Sequence, residues 1–159
     1  MTDRILVQTA DFSFAAEYDW LVSGNTGDGA VVSFVGRMRD LNLGDPVAAM
    51  ELEHYPGMTE KSLQALVAEA RGRWQLGRIS LIHRVGRLEP GDQIVWVGTT
   101  SPHRGDAFAA TDFIMDALKT RAPFWKKEIT AEGERWLEAR GSDVDRAQRW
   151  EKNSINQQE

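Results

Sequence analysis

Hydrophobic and polar positions follow one another along this chain in short blocks whose period changes, and each change marks a new element. Residues 5–9 fit a first strand, and Ser13 is placed to cap a short helix that runs through Trp20 and Val22 until Gly24 stops it. The run Ala30-Val31-Val32-Ser33-Phe34-Val35-Gly36 is β-rich, and the polar residues 37–46 after it read as a long connection. Across residues 47–55, Ala49, Glu51 and Glu53 alternate with Met50, Leu52 and His54, which is a strand period. Pro56-Gly57 turns the chain. Thr59 is expected to cap the clearest helix, whose Leu63, Leu66, Val67, Ala70 and Trp74 share one face. Residues 79–85 and 93–100 are two further strands around Glu89-Pro90-Gly91-Asp92, expected as hairpin neighbours. Ser101-Pro102, a cap followed by proline, opens a helix to about Lys119 with Ala107, Ala110, Ile114, Ala117 and Leu118 inward. Residues 124–129 are extended, and the charged chain beyond Trp136 reads as a fraying end. Strand pairs with interspersed helices predict an α+β fold, a mostly antiparallel sheet with packed helices. The expected organisation is one domain over residues 1–150 with a polar tail at 151–159.

Composition narrows the function classes. A chain of 159 residues with 42% hydrophobic and 27% charged residues is an ordinary globular domain. Without cysteine it carries neither a disulfide nor a thiolate metal site, and it holds no sulfur on a thiol of its own. Any sulfur chemistry therefore needs an outside donor. The N-terminal residues have no apolar run of signal-peptide length, and nowhere do about 18 apolar residues follow one another, so a cytoplasmic location away from membranes is expected. A net charge of -5 argues against non-specific nucleic-acid binding. Positive charge is concentrated in Lys119-Thr120-Arg121-Ala122-Pro123-Phe124-Trp125-Lys126-Lys127, which suits a small anion or an acidic partner, or else is a solvated face.

The chain has no glycine-rich phosphate loop, no nucleophile elbow and no His-Glu-x-x-His. His54, His83 and His103 lie in separate segments, so no metal and no cofactor is expected, and His54 and His83 are read as structural. His103 opens a helix beside Arg104, where free backbone N–H groups, the helix dipole and a guanidinium meet one anion; the plain alternative is a surface arginine. Lys119 lies at the far end of that helix, near Lys126 and the apolar Pro123, Phe124 and Trp125. A partly desolvated lysine serves as general acid or base, whereas two solvated lysines would do no chemistry. Arg104 and Lys119 are 15 positions apart, about 22 Å along an intact helix. One small substrate reaches both only if the site is shared between two subunits.

The segments Phe34-Val35-Gly36-Arg37-Met38-Arg39, Leu52-Glu53-His54-Tyr55-Pro56-Gly57-Met58, Ile82-His83-Arg84-Val85-Gly86, Ser101-Pro102-His103-Arg104 and Lys119 through Lys127-Glu128 together resemble the large, catalytic subunit family of molybdopterin synthase. Each piece is weak alone; five in order and spacing, over residues 1–150, make the match specific. The resemblance implies an α/β-hammerhead-type fold and a homodimer, a heterotetramer once a small ubiquitin-like sulfur-carrier subunit sits at each end. That partner's C-terminal Gly-Gly tail bears a thiocarboxylate, and two sulfur transfers turn cyclic pyranopterin monophosphate (precursor Z) into the dithiolene of molybdopterin. The resemblance also implies Lys119 as general acid/base and Lys126 as its electrostatic support, with Phe34, Arg39 and Met115 as pocket residues. His103, Arg104 and Arg140 would bind the pterin phosphate from the neighbouring subunit. Arginine at 39 and 104 suits bidentate phosphate contacts.

Two other readings compete with a sulfurtransferase. A non-enzymatic module would bind a ubiquitin-like Gly-Gly tail on the surface around Phe34, Lys119 and Trp125 without turnover. A single-stranded nucleic-acid binder would stack bases on Trp125, against the net negative charge.

Overall fold

The computed structural model describes residues 2–42, 44–137 and 141–155, so Arg140 lies outside the described residues. In chain order the elements are β1 (Asp3–Gln8), α1 (Phe14–Val22), β2 (Ala30–Arg37), β3 (Leu41–Asn42), β4 (Asp45–Pro46), β5 (Ala49–His54) and α2 (Met58–Arg73). They continue with β6 (Ile79–Arg84), β7 (Gly86–Leu88), β8 (Gln93–Ser101), α3 (Arg104–Arg121), β9 (Phe124–Thr130), β10 (Gly133–Leu137) and α4 (Gly141–Ile155). One sheet has the order β1-β6-β8-β2 and a second the order β10-β9-β5-β7, with β3 and β4 forming a two-stranded ladder. Only β1 and β6 pair in parallel among the described strands; the rest are antiparallel, the α+β arrangement expected from the pattern.

The first sheet is covered on both faces, which is why β6 and β8 are buried over most of their length. Ile79, Leu81, Val95 and Val97 pack with Leu63, Leu66 and Val67 of α2 and with Phe113, Ile114 and Leu118 of α3. Ile82 and Trp96, one residue out of phase, pack with Phe12 and Leu21 on the side of α1. There Trp96 Nε1 donates to Ser80 Oγ (2.8 Å), Ser80 donates to Glu17 (3.0 Å) and Arg4 pairs with Glu17 (3.1 Å). Gly98 is required in that layer, because a Cβ would stand 2.6 Å from Leu21 and 2.9 Å from Trp96. The second sheet folds over its own cluster of Met38, Val47, Met50, Leu52, Val85 and Leu88.

β6 and β8 are antiparallel neighbours as the pattern predicts, but the chain between them leaves to pair with β5 as β7, turning at Gly86 (φ 88°). The helix starts differ from expectation. Gly57, at φ 85°, is the N-cap of α2, and its N–H donates to Glu60 (2.6 Å). Thr59 is buried inside the first turn, where its Oγ1 accepts from Tyr55 N (3.0 Å) and donates to the Pro123 carbonyl (3.0 Å). The hydroxyl thus fixes the α3–β9 link against α2 rather than capping. Ser101 ends β8, and the N-cap of α3 is His103, whose N–H donates to Ser101 Oγ (3.0 Å).

Beyond Trp136 the chain is ordered further than its polarity indicates: α4 extends past residue 150 to Ile155. Arg146 and Arg149 reach Asp112 and Asp116 of α3 at 2.6–3.1 Å. Trp150 stands edge-on to Trp74 and Phe113, with centroids 5.5 and 5.7 Å away. Among the described residues no helix is long and apolar enough to cross a membrane.

Candidate active site

The last turn of α3 meets both sheets at a seam, and two adjoining cavities of ≈ 320 and ≈ 300 Å³ open there. Arg37, His83, Ile94, Leu118 and Lys119 border both. The first cavity adds Arg39, Lys126 and Glu128, and the second adds Phe34, Val35 and Met115. Lys119 is exposed in the last turn of α3, where the helix dipole favours a cation, and Met115 lies one turn before it on the same side.

Strand alternation decides which of two adjacent lysines belongs to the site. Phe124, Lys126 and Glu128 line the first cavity, so Trp125 and Lys127 fall on the other face of β9. Lys127 is held there by Glu51 (3.7 Å) and Glu134 (3.3 Å), with Trp136 5.2 Å from its ammonium. The Glu134 hydrogen bond raises the Lys127 pKa above the ordinary lysine value. Glu128 is buried and pairs with Arg135 (2.8 Å).

Arg39 reaches the cavity because β2 stops pairing regularly at Gly36/Arg37, where the register shifts. Just past the shift, Met38 N donates to the Asp92 carbonyl (2.9 Å), Gly91 N donates to the Met38 carbonyl (2.8 Å), and Arg37 Nε donates to the Gly91 carbonyl (3.2 Å). Arg39 follows this anchored segment as an exposed guanidinium. Phe34 is 40% exposed on β2, the outer strand of its sheet.

The structure therefore brings Phe34, Arg39, Met115, Lys119 and Lys126 together. His103 and Arg104 lie at the opposite end of α3, exposed and outside both cavities, about 22 Å from Lys119 by helical rise. Among the described residues no group of three or more His, Asp or Glu side chains is placed to hold a metal ion.

One site neighbour escaped the sequence reading. His83, read there as structural, borders both cavities and stacks on Phe124 at 3.9 Å between centroids and 18° between planes. Burial lowers its pKa to about 4, opposed by its bond to the Arg84 carbonyl and helped by the charges of Lys119, Lys126 and His54. The signal was available: His83 falls in phase with Ile79 and Leu81, on the strand face turned to α3.

Comparison with known proteins identifies the family. The family described as "MoaE protein" matches residues 7–121. The molybdopterin synthase catalytic subunit of Salmonella typhimurium is 62% identical over 147 residues, covering 92% of this chain and 97% of that protein. The solved structure of the molybdopterin biosynthesis MoaE protein from Burkholderia ambifaria is 54% identical, with a TM-score of 0.80 over 93% of this chain and 97% of its own. Molybdopterin synthase from Staphylococcus aureus is 31% identical, with a TM-score of 0.76 over 82% of this chain and 94% of its own. The chain belongs to the MoaE protein family.

Proposed function

We propose that this chain is the catalytic subunit of a molybdopterin synthase, a sulfurtransferase that moves two sulfurs from the C-terminal thiocarboxylate of a small ubiquitin-like subunit onto cyclic pyranopterin monophosphate. The observation that carries the reading is the placement of Lys119 at the border of two adjoining cavities. Arg39 and Lys126 make the first cationic, which suits a phosphorylated pterin. Phe34, Val35 and Met115 give the second an apolar side opposite the polar groups of Arg37, His83 and Lys119, which suits a Gly-Gly tail that ends in an anion. A tail entering by the second ends at Lys119, next to a substrate held in the first.

Each transfer breaks the acyl carbon–sulfur bond of the tail and forms a carbon–sulfur bond in place of a carbon–oxygen bond of the pterin, whose oxygen leaves with the bonding electron pair as water or as a phosphate oxygen. Water supplies the oxygen that leaves the tail as a carboxylate. Lys119 serves as general acid/base for these proton movements and Lys126 stabilises the negative charge. The separation of Arg104 from Lys119 supports a homodimer in which His103, Arg104 and Arg140 of one subunit bind the phosphate at the other subunit's Lys119. Two small subunits complete a heterotetramer, working in the cytoplasm.

The test is molybdopterin formation from cyclic pyranopterin monophosphate with a thiocarboxylated small subunit, beside the same subunit ending in a plain carboxylate. Product is expected with the thiocarboxylate alone. Complex formation without product would favour a tail-binding module instead.

A further inference from the structure

His83 takes no part in the chemistry set out above, yet it stands where the two cavities join. Its Nδ1 lies 2.8 Å from the Arg84 carbonyl oxygen. A carbonyl only accepts, so Nδ1 carries the proton and Nε2 of the neutral ring is left as an acceptor. Stacking on Phe124 fixes the plane of the ring. Burial keeps the ring neutral, helped by the ammonium groups of Lys119 from α3 and Lys126 from β9; His54 of β5 also faces it. No second hydrogen bond to the ring forms among the described residues. A half-buried acceptor in that state gains from any ligand that brings a donor.

We propose that His83 Nε2 accepts a hydrogen bond from the last peptide N–H of the incoming Gly-Gly tail, fixing the terminal residue while Lys119 meets its thiocarboxylate. This rests on the sulfur-transfer reading and adds a tail-positioning residue to it. The lone pair of Nε2 repels the thiocarboxylate itself, so the group it meets on the tail must be a donor. The terminal N–H is one Cα away from the thiocarboxylate carbon, and glycine has no side chain to shield it. The pterin phosphate is drawn instead to Arg39 and Lys126, which line the first cavity only, whereas Phe34 and Met115 line the second only.

The test compares His83→Phe, which keeps a flat ring against Phe124, with His83→Gln, whose Oε1 takes the place of Nε2. Each variant is titrated with the small subunit carrying its full tail and with the same subunit lacking the last two glycines. His83→Phe is expected to weaken full-tail binding about tenfold and truncated-tail binding not at all, and His83→Gln to restore it to within about threefold of wild type. Equal effects on both partners, or no loss in His83→Phe, overturn the proposal. If His83→Phe fails to fold, the Nε2 nitrogen resonance of the wild-type protein decides: a shift with the full tail and none with the truncated one supports the role, and no difference overturns it. Wild-type turnover measured alongside keeps the two readings apart. Thiocarboxylate-dependent turnover with unchanged tail affinity in His83→Phe removes the role of His83 alone, and a lack of turnover removes sulfur transfer while the affinities still judge His83.

Discussion

Lys119→Ala should slow product formation about 10²- to 10⁴-fold and leave the affinity for the small subunit within about threefold of wild type. Lys119 is the charged group that borders both cavities from α3, so in the proposed reaction it alone among the site lysines would meet the tail end and the pterin together. It is exposed and forms no ion pair among the described residues, so its loss should leave the fold intact. Single-turnover rates, with thermal unfolding as the control for structure, separate these effects. Turnover like that of wild type would take Lys119 out of the chemistry. A large loss of partner affinity would make it a docking residue.

Trp96→Ala should lower stability by about 3–5 kcal/mol, a fall in Tm of roughly 6–20 °C for a domain of this size. Trp96 is fully buried and packs edge-on against Phe14 at 5.0 Å and tilted against Phe12 at 6.3 Å. Its removal opens a cavity under α1 and takes from Ser80 the donor that holds it beside Glu17. The layer lies on the face of the sheet away from α3, so the active site should keep its geometry at temperatures where the variant is folded. Thermal unfolding with an activity assay well below the transition checks both parts; a drop of under about 2 °C would show that the layer repacks.

Much of this architecture was legible because apolar periodicity reports burial directly. The stripe of Leu63, Leu66, Val67 and Ala70 and the inward set of α3 are buried as their spacing requires. The two-residue period of β9 likewise turns Lys126 to the cavity and Lys127 away. Features held by polar groups were harder to read. α4 docks largely through guanidinium–carboxylate pairs to Asp112 and Asp116, which leave no apolar pattern in the sequence. Thr59 has the chemistry of a cap, but its hydroxyl is spent on Tyr55 and Pro123. His83 shows the same limit at the site, since a strand histidine in phase with core residues looks like core until the neighbouring lysines are in place. The helix-length argument from Arg104 to Lys119 needed only the spacing, and α3 runs unbroken between them.

The measurement that tests the shared site most directly is complementation between inactive dimers. On the proposed roles, Lys119→Ala and Arg104→Ala homodimers would each be defective at both sites, one in catalysis and the other in phosphate binding. After subunit exchange, a mixed dimer holds one doubly altered site and one with both Lys119 and Arg104 intact. Random exchange should therefore restore roughly one quarter of wild-type turnover. No recovery after exchange has been verified by mass would place both residues in one chain's site or outside the chemistry, and would contradict an active site built across the two subunits.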